Sequence, residues 1–128
     1  MNYKMVLVVA AVALIGGCRA VPIYNVADAP VIVSTGRQVT MDEVKGAILR
    51  AGSRLGWQMS ETSPGLINAR IALRTHTAGV DVKYSTKNFS IVYRESTNLE
   101  ASGGNIHKNY NGWIENLDRD IRAELARM

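Results

Sequence analysis

Hydrophobic side chains change their spacing at Trp57, and this change limits the chain to folds that combine helix with sheet. Before Trp57 they recur every three to four residues, as on a helix face, and after it they occupy alternate positions, as on a strand face. The alternating apolar residues form four runs: Trp57 and Met59; Ile67, Ala69, Ile71 and Leu73; Val80, Val82 and Tyr84; and Phe89, Ile91 and Tyr93. The pattern predicts four strands with one apolar and one polar face.

Short turns separate these runs, which predicts an antiparallel meander. The turn-forming residues are Pro64–Gly65, Ala78–Gly79 and Thr86–Lys87–Asn88. If Leu73 and Val82 both point inward, the numbers of paired residues in the hairpin of the second and third predicted strands must add to an odd number. A register shift of one residue would move every side chain of a strand to the opposite face. Asp81 is then expected opposite Arg74 or His76 on the polar face.

A helix is predicted immediately before the strands. Thr40 and Glu43 have the spacing of a capping box, in which each side chain binds a free backbone N–H of the first turn. Gly56 is expected to end this helix. Its apolar face is predicted to consist of Met41, Val44, Ile48, Ala51 and Leu55.

A second helix is predicted after the strands, with Asn105 as its N-cap. Its apolar residues are Ile106, Tyr110, Trp113, Leu117, Ile121 and Leu125. The predicted fold class is therefore α+β: a two-layer sandwich in which a four-stranded antiparallel sheet carries two helices on one face, in the order α-β-β-β-β-α.

The 128 residues suit one domain, which we place at residues 37–128. Residues 18–36 show no sustained period and contain Pro22 and Pro30, so they are predicted to be a tether. Val31–Val33 is the one stretch of the tether with the composition of an edge strand.

The amino terminus has the features of an export signal. Lys4 precedes an apolar run of eleven residues, Met5 to Ile15. Eleven helical residues span only about 16 Å, roughly half of a bilayer's hydrocarbon core. Residues 1–17 are therefore predicted to be a signal peptide rather than a permanent membrane span.

Cys18 is the only cysteine, so an internal disulfide is excluded. The stretch Ile15-Gly16-Gly17-Cys18 resembles the lipobox of bacterial lipoproteins, with Ile in the place of the usual Leu. The resemblance implies cleavage before Cys18 and attachment of three acyl chains there, including palmitate. Arg19 stands where Asp favours inner-membrane retention in that family, which implies transfer to the outer membrane. The alternative is an ordinary buried thiol.

A second resemblance covers about residues 28–125. The "GW" that ends the first helix and the "IHKNYNGWIENL" that opens the second resemble those of a group of small uncharacterised proteobacterial lipoproteins. This resemblance supports the domain and implies no activity.

Motifs of known enzyme classes are missing from the sequence: it has no phosphate loop, nucleophile elbow or paired-histidine metal motif. We therefore expect no enzyme, no cofactor and no metal site. A small hydrolase that uses His107 as its base is a further hypothesis, with less support in the sequence than the two functions given below. The net charge of +4 is too small to predict a nucleic-acid partner.

Four basic residues share the polar face of the predicted sheet: Arg70, Arg74, Lys83 and Arg94. With Lys87, they give residues 66–94 five basic side chains against one acidic one. They form a candidate anion-binding site for lipid head groups or a glycan. The alternative is a solvated face whose charges deter edge pairing.

Residues 106–117 begin the second helix with three asparagines and Gly112, which are poor helix formers. His107, Asn111 and Ile114 are predicted to share a stripe beside the apolar one, where they could form a site. In the alternative, Tyr110 and Trp113 belong to the core and Gly112 permits close approach to the sheet.

Together these features predict a lipid-anchored outer-membrane protein that faces the periplasm. Its domain is expected to be a non-catalytic interaction or scaffolding module of the cell envelope. The alternative is a module that binds an anionic lipid or glycan through the basic sheet face.

Overall fold

A computed structural model describes residues 20–128; the predicted signal peptide and Cys18 lie outside the described residues. The elements, in chain order, are β1 (Ala20–Pro22), β2 (Val26–Pro30), α1 (Met41–Arg54), β3 (Gln58–Ser63), β4 (Leu66–Leu73), β5 (His76–Tyr84), β6 (Asn88–Thr97), β7 (Asn105–His107) and α2 (Lys108–Ala126). The fold is α+β, as predicted. Five strands form an antiparallel sheet in the order β2-β6-β5-β4-β3, and β1 pairs with β7 in a separate two-stranded sheet.

The helix α1 begins as its sequence predicts. The Thr40 side chain accepts a hydrogen bond from the Glu43 backbone N–H at 3.2 Å, and the Glu43 carboxylate accepts one from the Thr40 N–H at 3.2 Å. These two bonds confirm the capping box. At the other end, Gly56 adopts a φ of +90°, where a Cβ is disfavoured, and the chain leaves the helix there.

One hydrophobic cluster joins the helices to the inward face of the sheet. The strands contribute alternate residues, such as Ile67 and Ala69 in β4 and Val80 and Val82 in β5, each fully buried. The helices contribute the fully buried side chains of Val44, Ile48, Tyr110, Ile114, Leu117 and Ile121. Burial of this kind stabilises by about 25 cal/mol per Å² of apolar surface, so the cluster holds the two layers together.

The prediction of a four-stranded sheet is wrong. A fifth strand, β2, pairs with β6, so that Val26 faces Ile91 and Pro30 faces Asn88. It lies within the segment predicted as a tether, and it precedes Val31–Val33, the triplet with the composition of an edge strand. The pairing shifts register between Val26 and Ala29, where Asp28 has a φ of +48°. This bulge removes the alternation that would have marked the strand in the sequence.

The turn predicted at Ala78–Gly79 is also in the wrong place. The chain turns at Arg74–Thr75, and Leu73 pairs directly with His76. Gly79 instead lies within β5 beside a register shift, where a Cβ would stand 3.0 Å from the Glu95 side chain. Paired positions do add to an odd number, as in Ile67 with Val82, but Asp81 faces Asn68 and neither Arg74 nor His76.

The second helix starts later than predicted. His107 is its N-cap, and Asn105 belongs to β7. The inward face also differs, since Ile114 is fully buried whereas Trp113 is only partly buried against the core. Because β1 pairs with β7, residues Ala20–Pro22 lie against the residues immediately before α2.

Candidate functional site

Two of the four basic residues predicted to bind anions, Arg70 and Arg94, form ion pairs on the sheet face. Arg70 Nη1 lies 3.4 Å from Glu95 Oε1, Arg94 Nη2 lies 3.8 Å from the same oxygen, and Arg94 Nη1 lies 3.5 Å from Asp81 Oδ1. The pairing of β5 with β6 places Glu95 opposite Gly79, within reach of both arginines. Since Glu95 directly follows the segment whose charge predicted the site, the excess of positive charge is smaller than it appeared.

The other two predicted residues lie far apart. Arg74 is in the β4–β5 turn, whereas Lys83 faces Leu66 and Ser90 near the opposite end of the strands. The eight-residue length of β4 separates them by about 26 Å. Neither makes an ion pair with a carboxylate among residues 20–128. The four residues therefore do not converge on one ligand-sized site.

A different cluster of arginines surrounds Glu124, the only charged side chain that is buried among the described residues, at 4% exposure. Its carboxylate accepts hydrogen bonds from Arg54 Nη2 at 2.8 Å, from Arg50 Nε at 3.1 Å and from Arg127 Nη1 at 3.1 Å. Bonding to Arg54 and then to Arg50 lowers the Glu124 pKa from its ordinary value, against the opposing effect of burial. The cluster joins α1 to α2.

The position of Glu124 in the sequence could have predicted this cluster. Glu124 follows Ile121 by three residues and precedes Leu125, so it occupies a position beside the apolar stripe of α2. A carboxylate placed there needs a cationic partner on the neighbouring helix. Arg50 and Arg54 are four residues apart on α1 and supply it.

His107, the base of the hydrolase hypothesis, has a structural role. Its Nδ1 accepts a hydrogen bond from the Asn109 backbone N–H at 3.2 Å and so caps α2. Within the described part of the chain, the Asn109 amide is the one hydrogen-bond partner of its ring. The structure therefore gives the hydrolase hypothesis no nucleophile partnered with this histidine.

Asn111 holds the amino-terminal segment against α2. Its Nδ2 donates to the Pro22 carbonyl oxygen at 2.9 Å, and its Oδ1 accepts from the Tyr24 N–H at 3.0 Å. The Ile23 N–H donates to the Gly104 carbonyl oxygen at 2.9 Å, and Ala20 pairs with His107. The chain is therefore fixed to the domain from Ala20 onward.

A shallow groove of about 550 Å³ lies between β1 and the first turns of α2. Val21, Asn109, Gly112, Trp113 and Asn116 line it, together with Lys108, Asn111 and Glu115. A Cβ at Gly112 would meet no atom within 4 Å among the described residues. Gly112 therefore opens onto the groove, and the prediction that it permits close approach to the sheet is wrong.

Tyr110 carries a hydroxyl that is buried without a hydrogen-bond partner among residues 20–128. Its ring packs edge-on against Tyr93, with 5.5 Å between the ring centroids. Burial, and then the neighbouring Tyr93, raise the Tyr110 pKa above its ordinary value. The hydroxyl is therefore protonated at neutral pH and does not supply a base.

No known protein family model matches this chain, and no curated protein or solved structure matches it either. Within residues 20–128, no group of three or more His, Cys, Asp or Glu side chains is placed to hold a metal ion. None of the helices in the same range is long and apolar enough to cross a membrane.

Proposed function

We propose that this chain is an outer-membrane lipoprotein, anchored through Cys18 and facing the periplasm, whose α+β domain is a non-catalytic interaction module of the cell envelope. One observation carries the proposal: the lipobox-like stretch Ile15–Cys18 ends two residues before Ala20, the first described residue, which already pairs with His107. A cleaved and lipidated amino terminus is compatible with this arrangement, because cleavage before Cys18 removes no residue of the domain.

The anchor is strong enough for permanent attachment. Each buried methylene contributes about 0.8 kcal/mol, and two or more acyl chains give stable membrane binding where one does not. The three chains implied by the lipobox would therefore keep the domain at the membrane without any apolar helix of its own.

An interaction module is favoured over an enzyme by what the polar residues around α2 do. His107 caps the helix, and Asn111 binds the backbone at Pro22 and Tyr24. The residues that made this segment a candidate site are therefore engaged in holding the fold. The surfaces left for function are exposed faces, which suit contact with another envelope component.

The alternative, binding of an anionic lipid or glycan through the sheet face, has less support. Arg70 and Arg94 are paired with Glu95 and Asp81, and Arg74 is remote from Lys83. Crosslinking in intact cells followed by mass spectrometry separates the two functions. The interaction module predicts a specific crosslinked envelope protein, and the alternative predicts crosslinks to lipid or lipopolysaccharide alone.

Membrane fractionation tests the anchor. Cys18→Ser is expected to release the exported protein into the soluble periplasmic fraction, because the thioether cannot form. Arg19→Asp keeps the lipidation site and serves as the matched control; by the family resemblance it should move the protein to the inner membrane. A Cys18→Ser protein that stays in the outer-membrane fraction contradicts the proposal.

A further inference from the structure

The end of the molecule that receives the predicted anchor is defined by a chain of backbone contacts. Ala20 pairs with His107, and the His107 N–H donates to the Leu99 carbonyl oxygen at 2.8 Å. Next to Leu99, Asn98 Nδ2 donates to the Thr75 carbonyl oxygen at 2.9 Å. We call this end, made of β1, β7, residues 98–104, the start of α2 and the turn at Arg74–Thr75, the anchor-side end.

The opposite end of the sheet lies well away from these residues. From His76, next to the Arg74–Thr75 turn, β5 runs to Tyr84 before the turn that contains Lys87. Eight steps along a strand span about 26 Å. Thr75 and Lys87 therefore mark the two ends of the sheet, and both are exposed.

The chain between Cys18 and the fold is too short to act as a flexible linker. Two Cα–Cα steps separate Cys18 from Ala20 and reach at most about 7 Å. A domain of this size has a radius of gyration of about 13 Å, so it cannot turn over on such a connection. If residue 18 is held at the bilayer surface, the anchor-side end is held there with it.

The side chains around this end suit a membrane interface. Tyr24 is 39% exposed, and Trp113 lines the groove beside Val21. Tyrosine and tryptophan are enriched at the level of lipid head groups, where an apolar ring and a polar tip are both satisfied. Among the described residues the exposed charges nearby are balanced, since Arg74 and Lys108 are matched by Glu100 and Glu115. Arg19, next to Cys18 in the sequence, adds one positive charge at this end.

We propose that the anchor-side end is a bilayer-contact surface, so that the lipid on Cys18 orients the domain as well as retaining it. This inference rests on the proposed lipidation of Cys18. The sheet then stands away from the membrane, with the β5–β6 turn directed into the periplasm. Because the described charges at this end balance and Arg19 adds only one positive charge, the orientation is expected to depend only weakly on the fraction of anionic lipid and on salt.

Depth-dependent quenching of the lipidated full-length chain tests this surface. Thr75→Cys and Lys87→Cys each place one reactive thiol for a fluorophore, because the Cys18 sulfur is consumed in the thioether. The proteins are reconstituted into vesicles of phosphatidylethanolamine and phosphatidylglycerol that contain lipids with a quencher on the head group. Quenching is expected to be at least about threefold greater at residue 75, given the strand length between the sites.

A linker variant provides the control. Insertion of about ten Gly and Ser residues between Arg19 and Ala20 gives a mean reach of about 17 Å, which should abolish the difference while the protein stays in the vesicles. Equal quenching at the two sites in a lipidated chain without the insertion overturns the orientation and leaves the anchor intact. A chain whose mass shows no lipid overturns the proposed function and this inference with it.

Discussion

Asn111 donates a hydrogen bond to the carbonyl oxygen of Pro22 at 2.9 Å and thereby joins α2 to the first described strand. The same side chain accepts from the Tyr24 N–H at 3.0 Å, so one amide serves the backbone on both sides of Ile23. An asparagine that is unfavourable for the helix thus fixes the segment that follows the predicted anchor. If Cys18 is lipidated as proposed, the position of that segment determines how the domain is presented at the membrane.

Asn111→Ala is expected to release β1 without unfolding the domain. Loss of the two hydrogen bonds should lower the free energy of unfolding by about 1–2 kcal/mol. In hydrogen exchange, the amides of Ile23 and Tyr24 should lose protection. Asn116→Ala, in the same groove of the same helix, is the control and should change stability by less than about 0.5 kcal/mol. If the amides of Ile23 and Tyr24 are as well protected in Asn111→Ala as in Asn116→Ala, the proposed role of Asn111 is contradicted.

Gly112→Ala is expected to stabilise the protein by about 0.5–1 kcal/mol, because alanine favours a helix and a Cβ there meets no atom within 4 Å. Gly52→Ala in α1 is the matched comparison. Its Cβ would stand 2.5 Å from the Met59 sulfur, so repacking of Met59 should cancel the gain. Urea unfolding of the two variants measures the difference. A loss of stability for Gly112→Ala would contradict the open space beside Gly112.

Glu124→Gln is expected to lower the free energy of unfolding at pH 7 by about 1–3 kcal/mol, because the buried acceptor loses its charge. Hydration of the half-exposed arginines limits this loss. Since the folded pKa of Glu124 is lowered, its contribution is present above the ordinary carboxyl pKa and is lost as the pH falls through the lowered value.

Urea unfolding between pH 7 and pH 3 tests this dependence. The Gln variant should lose less stability on acidification than the parent protein. Glu115→Gln, an exposed glutamate on the same helix, is the control and should keep the parent's pH profile. Identical profiles for Glu124→Gln and the parent would show that the arginine cluster does not hold the carboxylate ionised.

Glu95→Gln tests whether ion pairing suppresses anion binding by the sheet. In the unlipidated Cys18→Ser chain, we expect weak, salt-sensitive association with phosphatidylglycerol vesicles. Glu95→Gln should strengthen it by releasing Arg70 and Arg94, and Glu100→Gln, with the same change of charge, should have a smaller effect. If the parent already binds strongly and Arg70→Glu abolishes the binding, the sheet face is a lipid or glycan site after all.

The sequence predicted those elements whose evidence is local. The capping box at Thr40 and Glu43 lies within four residues of the start of α1, and the alternation in β4 and β6 lies within single strands. Both signals come from neighbouring residues, so they can be read without knowing the fold. Elements of this kind were predicted close to their observed positions.

Elements that depend on distant partners were missed. The short strands β1 and β2 are held by β7 and β6, far along the chain. In β2, Asp28 and Pro30 also disturb the alternating pattern. The β4–β5 turn contains Arg74 at a φ of +58°, a position that favours glycine or asparagine, so its composition did not mark it. Gly79 was predicted to form a turn because glycine is common in turns. The sequence could not show that Glu95 lies beside it, because only the pairing of β5 with β6 brings the two residues together.

The candidate site depended on the same long-range information. Parity correctly predicted that alternate residues share a face, but it did not predict that Glu95 would neutralise Arg70 and Arg94. Nor did it predict the arginines around Glu124, of which Arg50 and Arg54 belong to α1 and Arg127 directly follows α2. A list of charges along the chain therefore overestimated the positive character of the sheet.

The mass of the amino-terminal peptide of the exported protein tests the proposed lipidation of Cys18. We predict that the mature chain begins at Cys18 and carries a diacylglycerol thioether and an acylated amine. A free thiol at Cys18, or an amino terminus at another residue, would contradict it.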